Sequence, residues 1–422
     1  MMLWGHRHEM KVLDRRSFLS GTAALLGTAS RMPAANDRIQ LGFVGVGGRG
    51  GWLTRAFSGI GEKHGLCRIV GVCDVWEKRR REMSERYQCP GYTDHRELIE
   101  RSDVDAVVVA TPDHWHAPVS IYAMEKGKDV YVEKPMCHTI DEARRMMDTC
   151  LRNKRVLQVG SHGGSSNTYL KIKELLAQGI IGRTIMIHGA AHRNSTKGEW
   201  NWKIYPEAGP SGEGDNRIDW KRYLGATPDR PWEPDRYFNF RKFWDYSGGI
   251  ATDLYYHMMA PLNMTWGQPH LPSTVTASGG IYQFPDREVP DTYHMIAEYP
   301  QGFSVLFTGS MANGYMSPLT IRGHEGTIVL DRHEGTLAVQ PERGVITDQY
   351  KSRFGDSEIL VPLEPTSEWA HQLNFLECIR SRAKTNVDVV TGAYAQVAIT
   401  MGVMAYRQKR VLKFNPDDWS VS

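Results

Sequence analysis

Three side chains in the sequence could move a proton to or from a hydroxyl group: Lys134, Asp253 and His257. Lys134 follows an apolar run that begins at Val130, and Pro135 stiffens the turn after it. Asp253 and His257 are spaced so that a helix would place them on one face. An imidazole can accept a hydroxyl proton, an ammonium can donate to the oxygen, and a carboxylate can position substrate or imidazole. Each alone is more often a surface group.

A glycine-rich turn, Gly45-Val-Gly47-Gly-Arg-Gly50, follows the apolar run from Ile39 to Val44. This pattern predicts a buried strand that leads into a helix. Gly45 permits the tight turn, Gly47 lets the backbone approach a pyrophosphate, and Gly50 lets the helix lie close to the strand. The helix N-terminus then presents unpaired N–H groups to the phosphates. The turn alone is a weak signal, because glycine-rich turns are common.

An acidic residue ends the second predicted strand. Asp74 follows the run Arg68 to Cys73, roughly 20 residues beyond the glycine turn, as a dinucleotide site requires. Its carboxylate can accept both ribose hydroxyls of adenosine and would repel a 2′-phosphate, which favours NAD over NADP. Arg79, Arg80 and Arg81 follow closely and weaken the exclusion of NADP. The alternative is a turn without a nucleotide, in which Asp74 caps the next helix.

Helical and strand patterns alternate over the first part of the chain, which predicts a parallel sheet with helices on both faces. Ligand chemistry in such a sheet lies beyond the C-terminal ends of the strands. Two of these ends are polar: Thr111 to His116 follows one strand, and Glu133-Lys134-Pro135 ends the next. Helices are predicted near residues 50–58, 77–87, 96–101, 119–126 and 141–153, and strands at 68–73, 106–110, 130–132 and 156–159.

The motifs Gly45-x-Gly47-x-x-Gly50, Thr111-Pro112-x-x-x-His116 and Glu133-Lys134-Pro135 together resemble the glucose–fructose oxidoreductase and inositol dehydrogenase family, Gfo/Idh/MocA. The resemblance covers residues 38 to 415. It implies that His257, in an Asp-x-x-x-His element, is the general base, and that Lys134 and Asp253 complete the catalytic set. It also implies which residues bind NAD: Gly45, Gly47, Gly50, Asp74 and Thr111, with Glu133 and His116 near the nicotinamide ribose.

The resemblance implies an α/β fold with two domains. A doubly wound Rossmann domain with a parallel sheet is expected over residues 36–160, and a substrate-binding and oligomerisation domain over 161–415. The second domain should contain an open, mostly antiparallel sheet, and residues 273–310 and 319–340 alternate as strands of such a sheet do. The face of this sheet is a common oligomer surface in the family, so we expect a homo-oligomer, a dimer or a tetramer.

Two stretches of the second domain are unusual. Residues 194–241 are rich in Trp and long for an irregular loop, which predicts either a lid or a dimer contact. After the strand that ends at Gly160, many relatives carry arginines, whereas this chain has Ser161-His162-Gly163-Gly164. The groups that those arginines bind must therefore be handled differently here.

Residues 1–35 do not read as part of the fold. Asp14-Arg15-Arg16-Ser17-Phe18-Leu19 precedes a short, mildly apolar run, a pattern that resembles a twin-arginine export signal. The run is too short to span a bilayer, so no stable membrane insertion is expected. Twin-arginine substrates cross the membrane folded, which favours a periplasmic or otherwise exported protein that carries a tightly bound NAD. A disordered basic N-terminus is the alternative.

The composition is that of an ordinary globular protein. The chain has 422 residues, of which 41% are apolar and 23% charged, with a net charge of +3. The small net charge and the lack of a long basic run argue against nucleic acid as a partner. Several histidines lie near the expected cleft, but they lack ligand spacing on one element, so no metal is predicted.

Taken together, the sequence predicts an exported NAD-dependent oxidoreductase that acts on a secondary hydroxyl of a sugar, sugar derivative or glycoside. The closest alternative is a redox-neutral, NAD-dependent glycoside hydrolase that works by oxidation, elimination and reduction. A non-catalytic sugar or nucleotide sensor on the same fold is the alternative from another class. The enzymatic hypotheses require Lys134 and His257 to converge on one cleft.

Overall fold

The first half of the chain forms a parallel sheet flanked by helices. The computed structural model describes residues 38–330 and 335–422. Its first elements, in chain order, are β1 (Ile39–Val44), α1 (Gly48–His64), β2 (Cys67–Cys73), α2 (Glu77–Tyr87), β3 (Gly91–Tyr92), α3 (His95–Ile99), β4 (Ala106–Val109), α4 (Asp113–Glu125), β5 (Asp129–Glu133), α5 (Ile140–Arg152) and β6 (Leu157–Gly160). The strands lie in the order β3-β2-β1-β4-β5-β6, all parallel. This order confirms the predicted doubly wound sheet.

The predicted elements of this sheet have the right type, and the differences lie at their ends. Helix α1 continues past residue 58 to His64, where Gly65 ends it in the left-handed region at a φ of 65°. Helix α4 begins at Asp113 rather than near residue 119. Pro118 does not mark its start but lies inside it, where the helix lacks one backbone donor. The predicted export signal, residues 1–35, lies outside the described residues.

The second half of the chain forms a mixed sheet. Its elements are α6 (Asn167–Ala177), β7 (Thr184–Asn194), α7 (Trp220–Leu224), α8 (Pro234–Phe238), α9 (Tyr256–Thr265), β8 (Thr274–Gly280), β9 (Thr292–Tyr299), β10 (Phe303–Ser310), β11 (Ala312–Asn313), β12 (Leu319–Gly323), β13 (Gly326–Leu330), β14 (Thr336–Pro341), α10 (Asp348–Phe354), β15 (Ile359–Pro362), α11 (Ala370–Ser381), α12 (Val389–Gln408) and β16 (Leu412–Lys413). The strand order is β15-β14-β13-β12-β7-β10-β9-β8-β16, and β11 pairs with β7. Among the described strands of this sheet, only β7 and β10 are parallel neighbours, which confirms a mostly antiparallel sheet.

Helix α12 is the one described helix that is long and apolar enough to cross a membrane. Its position in the fold offers another reason for its composition. It contacts β8, β9, α5 and α9, and 72% of its most apolar stretch is buried. An internal helix covered on several sides is apolar around its circumference.

The two halves of the chain share apolar contacts. Helix α11 comes late in the sequence but packs on the first sheet, where Phe375 lies 5.6 Å from Tyr131 and 6.5 Å from Phe57 between ring centroids. These contacts do not divide the chain at one point, so the predicted domain boundary at residue 160 stays a prediction. The returning helix ties the second half of the chain to the first.

Residues 195–247, between β7 and the turn that carries Asp253, form a segment that we call the strap. Its apolar side chains form a cluster that also includes Trp76, from the first half of the chain. The indole of Trp76 donates to the Asp215 carbonyl at 2.8 Å, and that of Trp115 donates to the Tyr223 carbonyl at 2.7 Å. Since Trp76 and Trp115 follow β2 and β4, the strap covers the C-terminal edge of the first sheet. Both predicted roles of this segment, a lid and a dimer contact, stay predictions.

Candidate active site

The glycine turn has the shape of a phosphate cradle. Gly45 has a φ of 82°, and a Cβ there would lie 2.7 Å from the Ala110 carbonyl oxygen. A Cβ on Gly50 would lie 1.8 Å from the Gly45 carbonyl oxygen, so only glycine lets α1 approach β1 this closely. No side chain caps the N-terminus of α1. The first amides of the helix are therefore available to an anion such as a pyrophosphate.

Asp74 lies beside this turn at the end of β2. Its carboxylate accepts from the backbone amides of Val46 at 3.0 Å and Trp76 at 2.9 Å, which orients both oxygens. Of the three arginines after Asp74, only Arg79 lines the cleft, where its guanidinium stacks 4.7 Å from the Trp76 ring and lies against Gly47. The other two turn away and pair with carboxylates of α2 and the strap.

The polar residues after β4 include an unsatisfied group. The Thr111 hydroxyl is buried and has no hydrogen-bond partner among the described residues. His116 contacts the Thr111 carbonyl at 2.8 Å and the Pro135 carbonyl at 2.6 Å, so its ring joins the turns after β4 and β5. Its ring nitrogens thus have backbone partners, although the residue lines the cleft as predicted. A buried hydroxyl without a partner fits a ligand such as NAD.

Glu133 has partners that the sequence did not reveal. Its carboxylate accepts from Arg49 Nε at 2.8 Å, and Arg49 also contacts His162, which follows β6. Burial, together with the Arg49 charge, lowers the pKa of His162 to about 3, so this imidazole is neutral near pH 7. Arg49, Glu133 and His162 form one wall of the cleft.

Lys134 and Asp253 form a buried ion pair between the two halves of the chain. Lys134 Nζ donates to Asp253 Oδ1 at 2.6 Å and to the Asp253 backbone carbonyl at 2.8 Å. Burial by itself would raise the pKa of Asp253, but the Lys134 and Arg241 cations outweigh it and hold that pKa well below its usual range. The carboxylate is therefore ionised, and it fixes the ammonium at the end of β5.

Two strap residues complete the surroundings of Asp253, and the sequence analysis missed both. Arg241 Nε donates to Oδ1 at 2.8 Å, and the Trp200 indole donates to Oδ2 at 2.9 Å. The strap was expected to carry function because it is long and rich in Trp. Nothing in the spacing of its residues indicated which of them would reach Asp253.

The segment that carries Asp253 is not the regular α-helix that the sequence predicts. Residues Ala251–Tyr255 form a π-helical turn that leads into α9. The Asp253 carbonyl in this turn accepts from Lys134 Nζ. Such wide turns are frequent at functional sites.

His257 faces the same cleft as Lys134. Its side chain is exposed, and because it lines the cleft, part of that exposed surface is cleft wall. Desolvation and the Lys134 charge lower the pKa of His257 well below its ordinary value, while the Asp253 charge opposes this effect. A neutral imidazole is the form that can accept a proton. The carboxylate oxygens of Asp253 bond to Lys134, Arg241 and Trp200, so Asp253 acts on His257 through charge.

These groups surround one cleft of about 1040 Å³. The volume lies just above the ~300–1,000 Å³ range of small-molecule sites, as expected of a site for a large ligand. Nine of the ten predicted site residues line it, and Gly50 lies directly behind Gly45. The glycine turn, Lys134 and His257 thus share a single cavity, as the enzymatic hypotheses require.

Both halves of the chain match one family of proteins. Residues 39–161 match the NAD-binding Rossmann fold of the Gfo/Idh/MocA oxidoreductase family, and residues 227–414 match its C-terminal alpha/beta domain. The chain belongs to the Gfo/Idh/MocA oxidoreductase family. The cradle at Gly45 and the unpartnered Thr111 hydroxyl fit the NAD that this Rossmann domain binds.

Individual relatives are more distant. The chain is 28% identical over 169 residues to an inositol 2-dehydrogenase of Salmonella typhimurium, which covers 38% of this chain and 48% of that protein. It is 30% identical over 171 residues to a glycosyl hydrolase family 109 protein of Shewanella baltica, covering 37% of this chain and 35% of the relative. The matches thus span about half or less of these curated relatives.

A solved structure extends the likeness to the whole fold. The complex of levoglucosan dehydrogenase with NADH and levoglucosan superposes with a TM-score of 0.67 over 89% of this chain and 99% of that one. The sequence identity is 17%. At this identity the likeness concerns the fold.

Proposed function

We propose that the protein is an exported, NAD-dependent oxidoreductase that acts on a secondary hydroxyl of a sugar, sugar derivative or glycoside. One observation carries this proposal: the Lys134–Asp253 pair and the His257 imidazole line the same cleft as the glycine turn. The relatives support the substrate class, because inositol and levoglucosan, in the names of two of them, are cyclic compounds with secondary hydroxyls.

The residues of the cleft divide the work of alcohol oxidation. NAD, when bound along the glycine turn, supplies the hydride acceptor. The Lys134 ammonium, fixed by Asp253, donates a hydrogen bond to the oxygen of the reacting hydroxyl. The neutral His257 imidazole accepts the hydroxyl proton as the carbon becomes a carbonyl. The strap covers the cleft and keeps water from the reacting atoms.

Export and cofactor retention belong to the same proposal. The twin-arginine pattern in residues 14–19 supports export of a folded protein. A strap that covers the nucleotide edge supports retention of NAD, since a bound nucleotide would have to leave beneath it. Outside the cytoplasm there is no pool of free nicotinamide cofactor, so an exported oxidoreductase needs a cofactor that remains bound to it. We also propose a homo-oligomer that associates through the second sheet.

The first experiment identifies the bound small molecules. The protein is purified from the exported fraction, denatured and analysed by mass spectrometry, and intact protein is then assayed on a panel of sugars and glycosides without added NAD. Release of near-stoichiometric NAD, and a ketosugar from at least one substrate, is the expected result. Recovery of the protein from the cytoplasm alone would contradict export, and lack of NAD would contradict retention.

The redox-neutral glycoside hydrolase is a second candidate, favoured by the similarity to the glycosyl hydrolase family 109 protein. Here, oxidation at C3 makes the C2 proton acidic, the C1 substituent leaves by elimination, water adds, and the carbonyl at C3 is reduced again. The hydride removed from C3 returns to C3, so the net reaction is hydrolysis of the glycoside by one water molecule. Accumulation of free sugar from a glycoside, without ketosugar, would decide for this candidate over net oxidation.

A sensor without catalysis is the third candidate. A sensor needs to bind ligand but has no use for a fixed ammonium beside a neutral imidazole, so the Lys134–Asp253 pair argues against it. Binding of a sugar without turnover of any panel member, in protein that contains NAD, would favour the sensor.

A further inference from the structure

The Asp253 carboxylate receives donors from three separate parts of the chain. Lys134 arrives from the end of β5 at 2.6 Å, Arg241 from the C-terminal part of the strap at 2.8 Å, and Trp200 from its N-terminal part at 2.9 Å. The relative exposure of Asp253 is 8%. A buried carboxylate needs such partners, because an ion without them is strongly unfavourable in the interior.

The two strap residues are held in place by their own surroundings. Trp200 is buried, at 4% relative exposure, and has a φ of 67°. The left-handed region is rare for a bulky residue, and it persists where the fold imposes it. The Arg241 guanidinium stacks on Phe240 at 4.7 Å and on Trp202 at 5.3 Å. Neither donor is a mobile surface side chain that happens to reach Asp253.

The charges around Asp253 are uneven, since two cations share one carboxylate. The negative charge of Asp253 acts on His257, and the positive charges of Lys134 and Arg241 both offset it. Without Arg241, Lys134 would be the one cation in the described part of the chain that balances Asp253. The titratable groups around Asp253 are Lys134, Arg241 and His257. His257 also faces His162 and Arg193. Arg241 also faces the carboxylates of Asp113 and Glu133.

We propose that Trp200 and Arg241 are positioning residues, which bind Asp253 and thereby hold the Lys134 ammonium and set the charge that His257 experiences. The inference rests on the proposed function for its kinetic consequences. It means that the strap does more than cover the cleft. Its seating completes the group that holds Lys134, so the site becomes competent only when the strap lies on the nucleotide half.

The first test compares Arg241→Gln with Arg230→Gln. Arg230 is also in the strap and pairs with Asp245 away from the cleft, so its loss controls for damage to the strap. We expect Arg241→Gln to lower kcat at least about tenfold with KM for the sugar within about threefold, as for a group that acts through the transition state. Its acidic kcat/KM limb should move to higher pH, and Arg241→Lys should restore part of kcat.

The direction of the pH shift follows from the charges. Without Arg241, the Asp253 carboxylate is less neutralised, and a negative charge nearby raises the pKa of His257. His257 must be neutral to accept a proton, so activity is then lost at a higher pH as the solution becomes acidic. Unchanged kcat and pH profile in Arg241→Gln would overturn the proposal, as would a rise in KM at constant kcat, which would make Arg241 a substrate-binding group.

The second test compares Trp200→Phe with Trp220→Phe. Both change an indole of the strap to a smaller ring, but the Trp220 indole donates to the Arg230 carbonyl at 2.9 Å and does not line the cleft. We expect Trp200→Phe to lower kcat at least about tenfold, with NAD content unchanged, and Trp220→Phe to leave kcat within about twofold. Equal losses in the two variants would reduce Trp200 to a structural residue.

A third measurement does not depend on turnover. In protein labelled with ¹³C-histidine, the His257 signal is assigned by its loss in His257→Asn and titrated by NMR. We expect a higher pKa of His257 in Arg241→Gln and the wild-type value in Arg230→Gln. If the sugar panel shows no turnover, the proposed function fails and this titration still decides the inference. An unmoved His257 titration in Arg241→Gln would overturn it.

Discussion

The glycine turn and the Asp253 cluster face one cleft but are built in opposite ways. The turn is a stretch of neighbouring residues in which the fold leaves no room for side chains. A Cβ on Gly50, for example, would lie 1.8 Å from a backbone oxygen. The cluster joins side chains as far apart in sequence as Lys134 and Asp253, separated by 119 positions. A site made by backbone shape is local and depends on sterics. A site made by charge depends on partners that folding brings together.

Loss of the Lys134 ammonium should have the largest effect on the Asp253 cluster. Lys134→Met should lower turnover by about 10³-fold, within the ~10²–10⁴-fold effect of a general acid–base group, and spare NAD binding. Asp253 keeps two donors, so the fold should remain. Turnover and the NAD released on denaturation are measured together. Lys128→Met is the control, because Lys128 binds two carbonyls outside the cleft. Equal turnover in wild type and Lys134→Met would remove Lys134 from the mechanism.

The glycine turn should fail by a different route. Gly50→Ala forces a Cβ into the Gly45 carbonyl, so we expect a loss of about 3 kcal/mol of unfolding free energy with loss of bound NAD. Gly48→Ala is the matched control for stability, since a Cβ there meets nothing within 4 Å. Thermal unfolding and NAD content provide the readouts. If the two alanine variants unfold alike, steric exclusion is not what selects glycine at position 50.

Acid should destabilise the fold through His114, a buried neutral histidine beside the first sheet. Burial lowers the pKa of His114 to about 3, whereas the unfolded chain takes up that proton near the ordinary value of ~6.5. Stability should therefore fall as the pH drops below ~6.5, by about 2 kcal/mol from this residue at pH 5. Urea unfolding of wild type and His114→Gln at pH 7 and pH 5 measures it. The variant should lose less stability between the two pH values.

The smallest expected effect concerns cofactor choice at the turn. Asp74→Asn removes the charge that opposes a 2′-phosphate, while Arg79 remains against Gly47. We expect the ratio of NADP to NAD released on denaturation to rise about tenfold, equivalent to about 1.4 kcal/mol. Adding Arg79→Gln should reverse much of the rise. A ratio that stays at the wild-type value would mean that Asp74 serves the backbone amides it binds rather than cofactor selection.

Features that depend on neighbouring residues in the sequence were predicted best. The first sheet, the glycine turn and the placement of Lys134 at a strand end were predicted, since alternating periodicities and strand ends are local features. Asp253 and His257 were predicted as neighbours on an α-helix, which is wrong in detail, because a π-helical turn precedes α9. The Lys134 ammonium, from the distant end of β5, donates to a carbonyl of that turn.

Side chains that reach across the structure were not predicted. Arg49 and His162 meet Glu133 from two different elements, and Trp200 and Arg241 meet Asp253 from the strap. The sequence Ser161-His162-Gly163-Gly164 after the first sheet indicated an unusual cleft wall, but it did not identify Arg49 as the partner of His162. Contacts between distant segments carry no period in the sequence, so composition alone could mark only the strap as a functional segment.

The amino-acid sequence alone specifies the doubly wound sheet, the phosphate cradle and the residue types needed for alcohol chemistry. These depend on the size of glycine, on apolar periodicity and on side-chain chemistry, which each residue carries wherever it lies. The folded structure was needed to show that Asp253 is ionised between two cations, that the strap supplies two of its donors and that His257 faces the cleft as a neutral imidazole. Charge and desolvation depend on the distance between groups, and only the folded chain sets that distance.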